Sequence, residues 1–417
     1  MNRAADNALG IYVSIPFCRS KCTYCNFASG VYPASDHARY VERVIEDLAT
    51  ARAWAADLGA ALPPHVDTVY LGGGTPSLLA PELLAKLFAA MRAEFLLDAD
   101  TEITVECAPG QLADAMLEAM VAAQVNRVSL GVQSFVDSEA HASGRLHDST
   151  TVEADLRRLR AAGITNMNVD LIAGLSGQTL ASWEESLAAL ADSGVPHASV
   201  YMLEVDEDSR LGREVLAGGS RYRAGLVPND DAIARMYERA IERLQQAGLR
   251  QYEISNFSRP GLESRHNLRY WQRRPYLGVG LDASSMLPYD PTLAAKTKTP
   301  RGCGARDFVL RAATTDDLKE YLAGPQPAEL TWLSPERQHE EAWFLGLRTN
   351  AGVDVAALEQ EFGRAMIEPA METVEQLVKD GLLTFDGERV RLTARGRLIS
   401  NEVFQEFLDL EAEREMS

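Results

Sequence analysis

Three of the chain's five cysteines stand within eight residues of one another, in the segment FCRSKCTYCNF. Cys18, Cys22 and Cys25 have the spacing C-x3-C-x2-C, which brings three metal-binding thiols onto one short segment. An odd number of cysteines in a chain with no recognisable secretion signal argues against a disulfide framework. A structural zinc site needs a fourth ligand, and His37 lies twelve residues further on, beyond a turn at residues 30–33.

Two further interpretations of these cysteines lead to different chemistry. A thioredoxin-like redox site would need only Cys22 and Cys25, so the third cysteine argues against it. Three thiolates on a loop after a strand can instead hold three irons of a cubane cluster, which leaves the fourth iron open to an exchangeable ligand. Three unrelated buried thiols are the remaining interpretation, and the compact spacing disfavours it. We therefore expect Cys18, Cys22 and Cys25 to hold a 4Fe-4S cluster.

Apolar segments rich in β-branched residues alternate with helical patterns around and after the cysteines. Strands are predicted at residues 10–15, 66–74, 102–107, 126–134, 166–174 and 197–205. Helices are predicted between them, near residues 35–56, from Pro81, after Leu112, from about Thr151 and from Leu180. This alternation predicts right-handed βαβ units and an α/β fold with a partial or full parallel (β/α) barrel.

The pattern changes after residue 330. Helices are predicted in SPERQHEEAWFLGLR and AMIEPAMETVEQLVKDG, followed by a hairpin that turns on Asp386 and Gly387, and by a last helix near Arg395. This order predicts a smaller C-terminal domain of the winged-helix type. We divide the chain into a barrel core at residues 1–255, a connecting region at 256–330 and a C-terminal helical, winged-helix-like domain at 331–417.

Composition limits the cellular setting and the partners. The 417 residues exceed what one core usually supports, and the formal net charge of -19 repels nucleic acids and anionic lipids. From Pro335 onwards eighteen Asp and Glu face nine Lys and Arg, so the winged-helix-like domain lacks a basic face for DNA. No run of about eighteen apolar residues predicts an integral membrane segment. We expect a cytoplasmic protein with no nucleic-acid partner.

Glycines and polar residues stand where the predicted strands end. The turn GGGTP, residues 72–76, follows the second strand, and Glu106, Gln133 and Asp170 end the third, fourth and fifth. In a parallel barrel these positions meet at the C-terminal mouth, where ligands bind, and glycines let the backbone approach a ligand closely. For any one position alone, a tight βα turn or a helix cap is an equally good interpretation. Together they predict a ligand site around one mouth.

The cysteine spacing after YVSIPF, with an aromatic residue before the third cysteine, resembles the radical S-adenosylmethionine (SAM) superfamily. The resemblance implies that SAM chelates the open iron and that an electron from the cluster cleaves it to a 5'-deoxyadenosyl radical. The anaerobic coproporphyrinogen-oxidase-like branch further implies a glycine turn facing the SAM amino group, an arginine pairing with its carboxylate, and ribose and carboxylate contacts at the strand ends. The residues so implied are Tyr12, Tyr24, Gly73, Gly74, Thr75, Glu106, Gln133, Arg145 and Asp170.

Nearly the whole chain resembles this branch, and the resemblance is strongest to the HemW family of haem chaperones. It includes NVDLIAGLSGQT, YEISNFSRPG, SRHNLRYW and GERVRLTARGRLISNEVF. The true oxidase has a further cysteine two positions after the third ligand, where this chain has Phe27. It also has a long extension before its cluster, whereas only seventeen residues precede Cys18 here. Both differences favour the chaperone family.

The segment HNLRY, residues 266–270, matches the H-N-x-x-Y motif of that family, which implies haem binding through His266 and Tyr270. An imidazole is a common axial ligand of haem iron, and on a helix Tyr270 shares the face of His266. Without the family, a histidine beside aromatic residues is more often a hydrogen-bonded core residue. We expect replacement of His266 by alanine to cost little in folding. Ser284 stands where the family commonly has a histidine, so the chain departs from the family pattern at this position.

We therefore expect a haem chaperone that carries a SAM-bound 4Fe-4S cluster, binds haem and transfers it to acceptor apoproteins. An electron donor for the cluster is implied, and coproporphyrinogen III dehydrogenase activity is not expected. One alternative is that dehydrogenase, in which a radical removes hydrogen from propionate side chains before decarboxylation. Another is a radical SAM enzyme that acts on a different tetrapyrrole. The sequence leaves open the acceptor, the electron donor, productive cleavage of SAM and the oligomeric state, for which a homodimer is one outcome.

Overall fold

A computed structural model describes residues 8–290, 292–293, 308–324 and 329–408 of the chain. Cys303 lies outside the described residues. Strands and helices alternate in the first half, in the order β1 (Leu9–Ile15), α1 (Ala34–Leu58), β2 (His65–Gly73), α2 (Pro81–Glu94), β3 (Leu96–Cys107), α3 (Asp114–Ala122), β4 (Arg127–Gln133), α4 (Asp137–Ala142), α5 (Ser149–Ala161), β5 (Asn166–Ala173), α6 (Leu180–Ser193) and β6 (His197–Met202).

The middle of the chain has shorter elements. They are α7 (Arg210–Leu216), α8 (Asp230–Gln246), β7 (Arg250–Gln251), β8 (Asn256–Ser258), α9 (Arg265–Trp271), β9 (Tyr276–Val279), β10 (Ser284–Pro288), β11 (Val309–Ala313), α10 (Leu318–Ala323) and β12 (Glu329–Leu333). Short 3-10 turns lie at Pro76–Leu78 and Arg221–Leu226.

The last part of the chain combines helices with a small sheet. Its elements are α11 (Pro335–Arg348), β13 (Val353–Asp354), α12 (Val355–Phe362), α13 (Arg364–Lys379), β14 (Leu383–Phe385), β15 (Arg389–Leu392), α14 (Ala394–Leu398) and α15 (Ser400–Gln405). The three strands are antiparallel in the order β13-β15-β14, and β14 and β15 join through the expected turn at Asp386 and Gly387.

The large sheet has twelve strands in the order β12-β11-β10-β9-β1-β2-β3-β4-β5-β6-β8-β7. Neighbours from β1 to β6 are all parallel, so their carboxyl ends meet at one edge. In the described residues no pairing joins β7 to β12, and the barrel is therefore partial rather than closed. The prediction of an α/β fold with a parallel barrel and a winged-helix-like C-terminal part is confirmed.

The strands of the parallel core could be predicted from the sequence because they are buried and therefore apolar. The segment LGIYVSI of β1 is buried at every position except Tyr12, as expected for a parallel strand covered on both faces. No strands were predicted between residues 256 and 330, because β8 to β12 have only three to five residues each. These strands extend the same sheet on both sides of the parallel core.

The described residues form two hydrophobic cores. The larger lies between the sheet and its helices, and the smaller gathers around Trp343 and Phe407, whose rings stack with centroids 5.1 Å apart. Ile254, between β7 and β8, packs in the smaller core and so joins the barrel to the C-terminal helices. No helix in the described ranges combines the length and the apolar character that crossing a membrane requires.

Candidate functional site

The loop that carries the cysteines follows β1 and faces one large cavity. Cys18, Cys22 and Cys25 have free, half-buried thiols, and all three line that cavity. The Cys18 amide donates to the Gly30 carbonyl at 2.8 Å, which closes the loop at its base. Across the described ranges, no three His, Cys, Asp or Glu side chains gather around a single ion, the arrangement that a mononuclear zinc site needs. The loop instead presents three separate thiols.

Cys107 differs from these three in its surroundings. It ends β3, is 3% exposed and touches the cavity from the strand side. Burial raises the pKa of its thiol to about 12. It therefore stays a protonated thiol at neutral pH, whereas metal ligation requires a thiolate.

Two distant segments hold the cysteine loop in place. On one side the Thr23 amide donates to the Ser143 carbonyl at 3.0 Å, and a Cβ at Gly144 would stand 3.3 Å from the Cys22 Cα. On the other side the Leu211 amide donates to the Thr23 carbonyl at 2.8 Å. Sequence reasoning missed these positions, because Thr23 and Ser143 are 120 residues apart and no local pattern marks their contact.

The glycine turn after β2 lies directly against the start of the cysteine loop. The Gly74 amide donates to the Ile15 carbonyl and the Thr75 amide to the Phe17 carbonyl, each at 2.8 Å. A Cβ at Gly74 would stand only 2.8 Å from both carbonyl oxygens, so no larger residue fits there without a shift. Gly73, with φ +97°, lines the cavity together with Gly74 and Thr75. The turn thus supports the cysteine loop and borders the same space.

Glu106 and Asp170 are two carboxylates on the wall of this cavity. The Tyr70 hydroxyl donates to Glu106 Oε1 at 2.8 Å, and Asn168 Nδ2 donates to Asp170 Oδ1 at 2.7 Å. Removal from bulk water, and then the nearby Asp170, raises the pKa of Glu106 to about 7. Burial also raises the pKa of Asp170. Because both ionised forms are disfavoured, a cationic group bound between them would be stabilised.

Arg145 and Gln133 add polar groups that protein partners leave partly unsatisfied. Arg145 Nη2 donates to the Tyr24 hydroxyl at 2.9 Å, and both side chains line the cavity beside Cys22 and Cys25. Gln133 is 6% exposed and has a φ of +73°. Among the described residues, its Oε1 and the Arg145 Nε are buried without a hydrogen-bond partner. Such atoms are satisfied when a polar ligand enters.

Tyr12 is the one expected SAM contact that does not line the cavity. Its ring packs inside the barrel, with centroids 6.1 Å from Tyr70 and 6.4 Å from His266. Ser284, which replaces a histidine common in the family, is exposed at the start of β10 and is also absent from the cavity lining. The other eight expected SAM residues meet at the mouth.

Helix α9, which carries HNLRY, lies at the opposite end of the barrel. The Glu102 carboxylate accepts hydrogen bonds from the amides of Arg265 and His266, at 3.1 and 3.0 Å. The imidazole contacts Thr68, near the start of β2, whereas the glycine turn follows the end of that strand. Five residues of strand separate Thr68 from Gly73, a distance of about 16 Å.

His266 is a core residue in this arrangement. It is 1% exposed, and its Nδ1 and Nε2 lie 3.0 Å from Thr68 Oγ1 and 2.9 Å from the Tyr270 hydroxyl. Burial, and then the charge of Arg269, lowers its pKa to about 3, so the ring is neutral. Iron ligation needs a ring nitrogen with a free lone pair, and here both nitrogens are hydrogen-bonded. This burial contradicts the expectation that replacing His266 would cost little in folding.

The cavity itself has a volume of about 950 Å³ and is shared by the barrel and the C-terminal part. Arg348, at the end of α11, and residues 398–402 form part of its wall. Small-molecule sites typically occupy about 300–1,000 Å³, so this cavity lies at the upper end of that range. Its lining also includes five carboxylates away from the strand ends: Glu204, Asp206, Asp230, Asp231 and Glu402.

Comparison with known proteins agrees with this geometry. Residues 12–190 match the radical SAM superfamily, and residues 333–399 match the HemN C-terminal domain. The chain is 32% identical to "Heme chaperone HemW" of Lactococcus lactis, over 95% of this chain and 96% of that protein. It is 34% identical to the protein of the same name from Mycobacterium tuberculosis, over 96% and 94%.

Two other similarities extend the comparison. The chain is 31% identical to the mouse protein "Radical S-adenosyl methionine domain-containing protein 1, mitochondrial", over 94% of this chain and 86% of that protein. Its fold matches the solved structure of coproporphyrinogen III oxidase (HemN) from Escherichia coli with a TM-score of 0.78 and 22% identity, over 96% and 90%. At that identity the structural match speaks for the fold alone.

Proposed function

The chain belongs to the HemW family of haem chaperones within the radical SAM superfamily, and from this premise we propose that it binds haem and transfers it to acceptor apoproteins. We propose that it also holds a 4Fe-4S cluster and SAM in the barrel mouth. One observation carries the proposal: three free thiols, a glycine turn and the polar strand ends all open onto one cavity. The names of the relatives support haem as the ligand that is transferred. The residues that line the cavity support binding of the cluster and SAM.

The cysteine loop fits a 4Fe-4S cluster held by Cys18, Cys22 and Cys25. All three thiols are free, and the loop's backbone is fixed on both sides by hydrogen bonds. Three thiolates leave one iron without a protein ligand, and when bound the cluster supplies one-electron reduction at that iron. The residues around the loop then serve to position the thiols and to shield them from bulk water.

The polar groups of the mouth fit the parts of SAM. Glu106 and Asp170 would stabilise its cationic amino and sulfonium groups, because burial raises the pKa of both carboxylates and a cation bound beside them offsets that cost. Arg145 would pair with its carboxylate, which satisfies the free Nε. Gln133 Oε1 would accept from a ribose hydroxyl. Gly73 keeps the backbone close to the ligand.

HNLRY does not fit haem in the described arrangement. His266 is enclosed by aromatic side chains, with ring centroids 5.3 Å from Tyr70 and 5.2 Å from Tyr270, and both its nitrogens are hydrogen-bonded. Ligation of haem iron by His266 would require α9 to leave its place, and it is not part of this proposal. The segment serves here as the core of the barrel's far end.

Coproporphyrinogen III dehydrogenase activity is the alternative function, and only the shared fold favours it. Fold does not fix function, since related folds carry many activities. The full-length relatives named as haem chaperones favour transfer of haem rather than decarboxylation. Acceptor apoproteins, an electron donor for the cluster and a homodimer are further proposals that follow from the chaperone function. We also propose that the protein works in the cytoplasm.

An anaerobically reconstituted sample separates the two functions. Titration with haem should give a saturable Soret band, and transfer to an added apo-haem protein should appear as a shift of that band to the position of the acceptor's haem-bound form. Incubation with coproporphyrinogen III, SAM and a reductant should give no decarboxylated product. Turnover of coproporphyrinogen III together with no saturable haem binding would overturn the chaperone proposal and support the dehydrogenase.

A further inference from the structure

Four cationic side chains line the cavity, and one of them, Arg348, lies in the C-terminal part of the chain and is not used by the proposed cofactors. Arg348 ends α11, lines the cavity and is 28% exposed. Its Nε lies 3.2 Å from Glu253 Oε2, and its guanidinium carbon lies 4.4 Å from the centroid of the Trp271 ring. Within the described ranges its two terminal nitrogens have no hydrogen-bond acceptor. They are donors available to a ligand.

The neighbours of Arg348 fix its guanidinium in position. Glu253 is fully buried, and its Oε1 accepts from the Ser255 amide at 2.9 Å and from Asn256 Nδ2 at 2.5 Å, so this carboxylate cannot move toward the cavity. The Ile254 amide donates to the Arg348 carbonyl at 3.1 Å. An arginine has five donors in a rigid plane, and one edge can face Glu253 while the other receives a second carboxylate.

The lining that Arg348 shares contains both apolar and acidic side chains. Ile254, Leu398 and Ile399 line the same cavity. Two large apolar side chains at the cysteine end, Phe27 and Leu146, are 62% and 60% exposed. The walls therefore suit a flat apolar ligand, since covering exposed apolar surface is favourable.

The charges in the lining favour one position for an anion. Besides Arg348, the cationic side chains in the lining are Arg19, Lys21 and Arg145, and these belong to the cysteine loop or lie against it. Lys21 and Arg145 are hydrogen-bonded within that region. The lining carboxylates Glu204, Asp206, Asp230, Asp231 and Glu402 repel an anion. An anionic arm of a ligand that reaches the C-terminal side of the cavity is thus stabilised at Arg348.

The geometry points to Arg348 as a carboxylate-binding subsite for a flat, apolar ligand that carries carboxylate arms. The inference rests on the proposed function, under which that ligand is haem and the arm is one of its propionates. The C-terminal part of the chain would then supply a direct contact to the tetrapyrrole. Arg348 would select the propionate and the apolar walls would cover the macrocycle.

The test compares haem with haem dimethyl ester, whose propionates are neutral. Both ligands contain the same iron and macrocycle, so iron ligation cancels in the comparison. Wild-type protein should bind haem at least about tenfold more tightly than the ester, because a charge-assisted hydrogen bond to arginine is lost in the ester. Arg348→Gln should remove this preference by weakening haem binding alone, whereas Arg348→Lys should keep part of it.

Two further variants control for folding. Arg348→Gln combined with Glu253→Gln leaves no unpaired buried charge and should show the same loss of preference. Arg395→Gln changes an exposed arginine of the same region, which lies outside the cavity lining, and should leave the preference unchanged.

Each outcome has a distinct meaning. No saturable haem binding by wild-type protein overturns the proposed function. Equal affinity of wild-type protein for haem and ester overturns the subsite alone, and the chaperone function stands. A preference retained in both Arg348→Gln variants places the carboxylate contact elsewhere. An equal loss of affinity for haem and for the ester, together with a lower melting temperature, would mean that Arg348 only stabilises the packing between two parts of the chain. That result also overturns the subsite.

Discussion

Individual side chains around the barrel mouth differ in charge state because their surroundings differ. Glu106 has a pKa raised to about 7 by burial and by Asp170, and the Cys107 thiol has one raised to about 12 by burial. The three loop thiols are half-buried and line the cavity, whereas Cys107 is almost fully buried at the end of its strand. Ligand and non-ligand cysteines are therefore separated by their environment as well as by their spacing.

The first prediction concerns the iron content. Cys18→Ser, Cys22→Ser and Cys25→Ser should each lose most of the roughly four irons per chain expected for a 4Fe-4S cluster, because each thiolate holds a different iron. Iron and sulfide assays after anaerobic reconstitution measure this. Cys107→Ser is the matched control and should keep wild-type iron. Full iron in any loop variant would contradict the ligand assignment.

A second residue-scale prediction concerns stability against acid. His147 is 4% exposed, its Nε2 lies 3.2 Å from the Val132 carbonyl oxygen, and burial followed by the charge of Arg145 lowers its pKa to about 4. The unfolded chain takes up a proton near pH 6.5, whereas the folded chain does not until about pH 4. Stability contributed by the neutral ring is therefore full above pH 6.5 and is lost as pH falls toward 4.

His147→Gln should reduce this loss, because glutamine keeps a donor for the Val132 carbonyl but does not titrate. The free energy of unfolding, from urea titrations at several pH values, should fall less steeply in the variant, by up to about 1.4 kcal/mol per pH unit. Above about pH 7 the slopes of the two proteins should agree. Identical slopes between about pH 4 and 6 would show that His147 titrates normally in the folded chain.

At the scale of elements, two features organise the barrel. Helix α9 fills its far end, where Arg269 is fully buried and bonded to Asp67, and where His266 packs between Tyr70 and Tyr270. The glycine turn and residues 143–144 hold the cysteine loop at the near end. Tyr70 contacts both His266 at the far end and Glu106 at the mouth. Packing of the far end therefore supports the position of the Glu106 carboxylate.

Replacement of His266 tests the role of α9. His266→Ala should lower the free energy of unfolding by about 2–4 kcal/mol, because it leaves a cavity and removes partners of two buried hydroxyls. His65→Ala is the matched control on an exposed histidine and should change stability by less than about 1 kcal/mol. Urea denaturation measures both. Equal stability of His266→Ala and wild type would mean that α9 is not a packed part of the core.

Replacement of Gly144 tests whether residues 143–144 hold the cysteine loop in place. Gly144→Ala places a Cβ 3.3 Å from the Cys22 Cα at a φ of +93°, so it should displace the loop and lower iron content after reconstitution. Gly177 has a similar φ of +83° but open space around it. Gly177→Ala should therefore cost about 1 kcal/mol in stability and keep its iron. Equal iron content in the two variants would show that residues 143–144 do not hold the cysteine loop in place.

At the scale of the whole molecule, the two cores meet where the mouth cavity is completed. Ile254 packs in the smaller core, Glu253 pairs with Arg348, and the guanidinium stacks on Trp271 at the end of α9. Arg348 thus lines the cavity and also contacts the helix at the far end. Movement of α11 would therefore change both the lining of the cavity and the packing of α9.

Glu253→Ala tests this connection. It removes the buried partner of Arg348, which should lower the free energy of unfolding by about 2–4 kcal/mol and broaden the thermal transition. Glu361→Ala removes an exposed partner of Arg273, in an ion pair of 2.7 Å between the same parts of the chain, and should cost less than about 1 kcal/mol. Calorimetry compares the two. Similar melting curves would show that the Glu253 pair does not couple the cores.

Local sequence patterns predicted the parallel sheet, the helices between its strands and the positions that end those strands. Buried parallel strands such as β1 are continuous apolar runs, and carboxyl ends of parallel strands necessarily share one edge. The spacing of Cys18, Cys22 and Cys25 is likewise local information. These features depend on residues close together in the chain, which a pattern can record.

Which of these residues line the same space depends on how the elements pack in three dimensions. His266 and Asp170 are both polar residues in apolar surroundings, yet one plugs the far end of the barrel and the other lines the mouth. The contact of Thr23 with Ser143 and the pairing of Glu253 with Arg348 join segments about 100 residues apart. Burial and long-range pairing depend on how elements pack, and packing has no periodicity in the sequence.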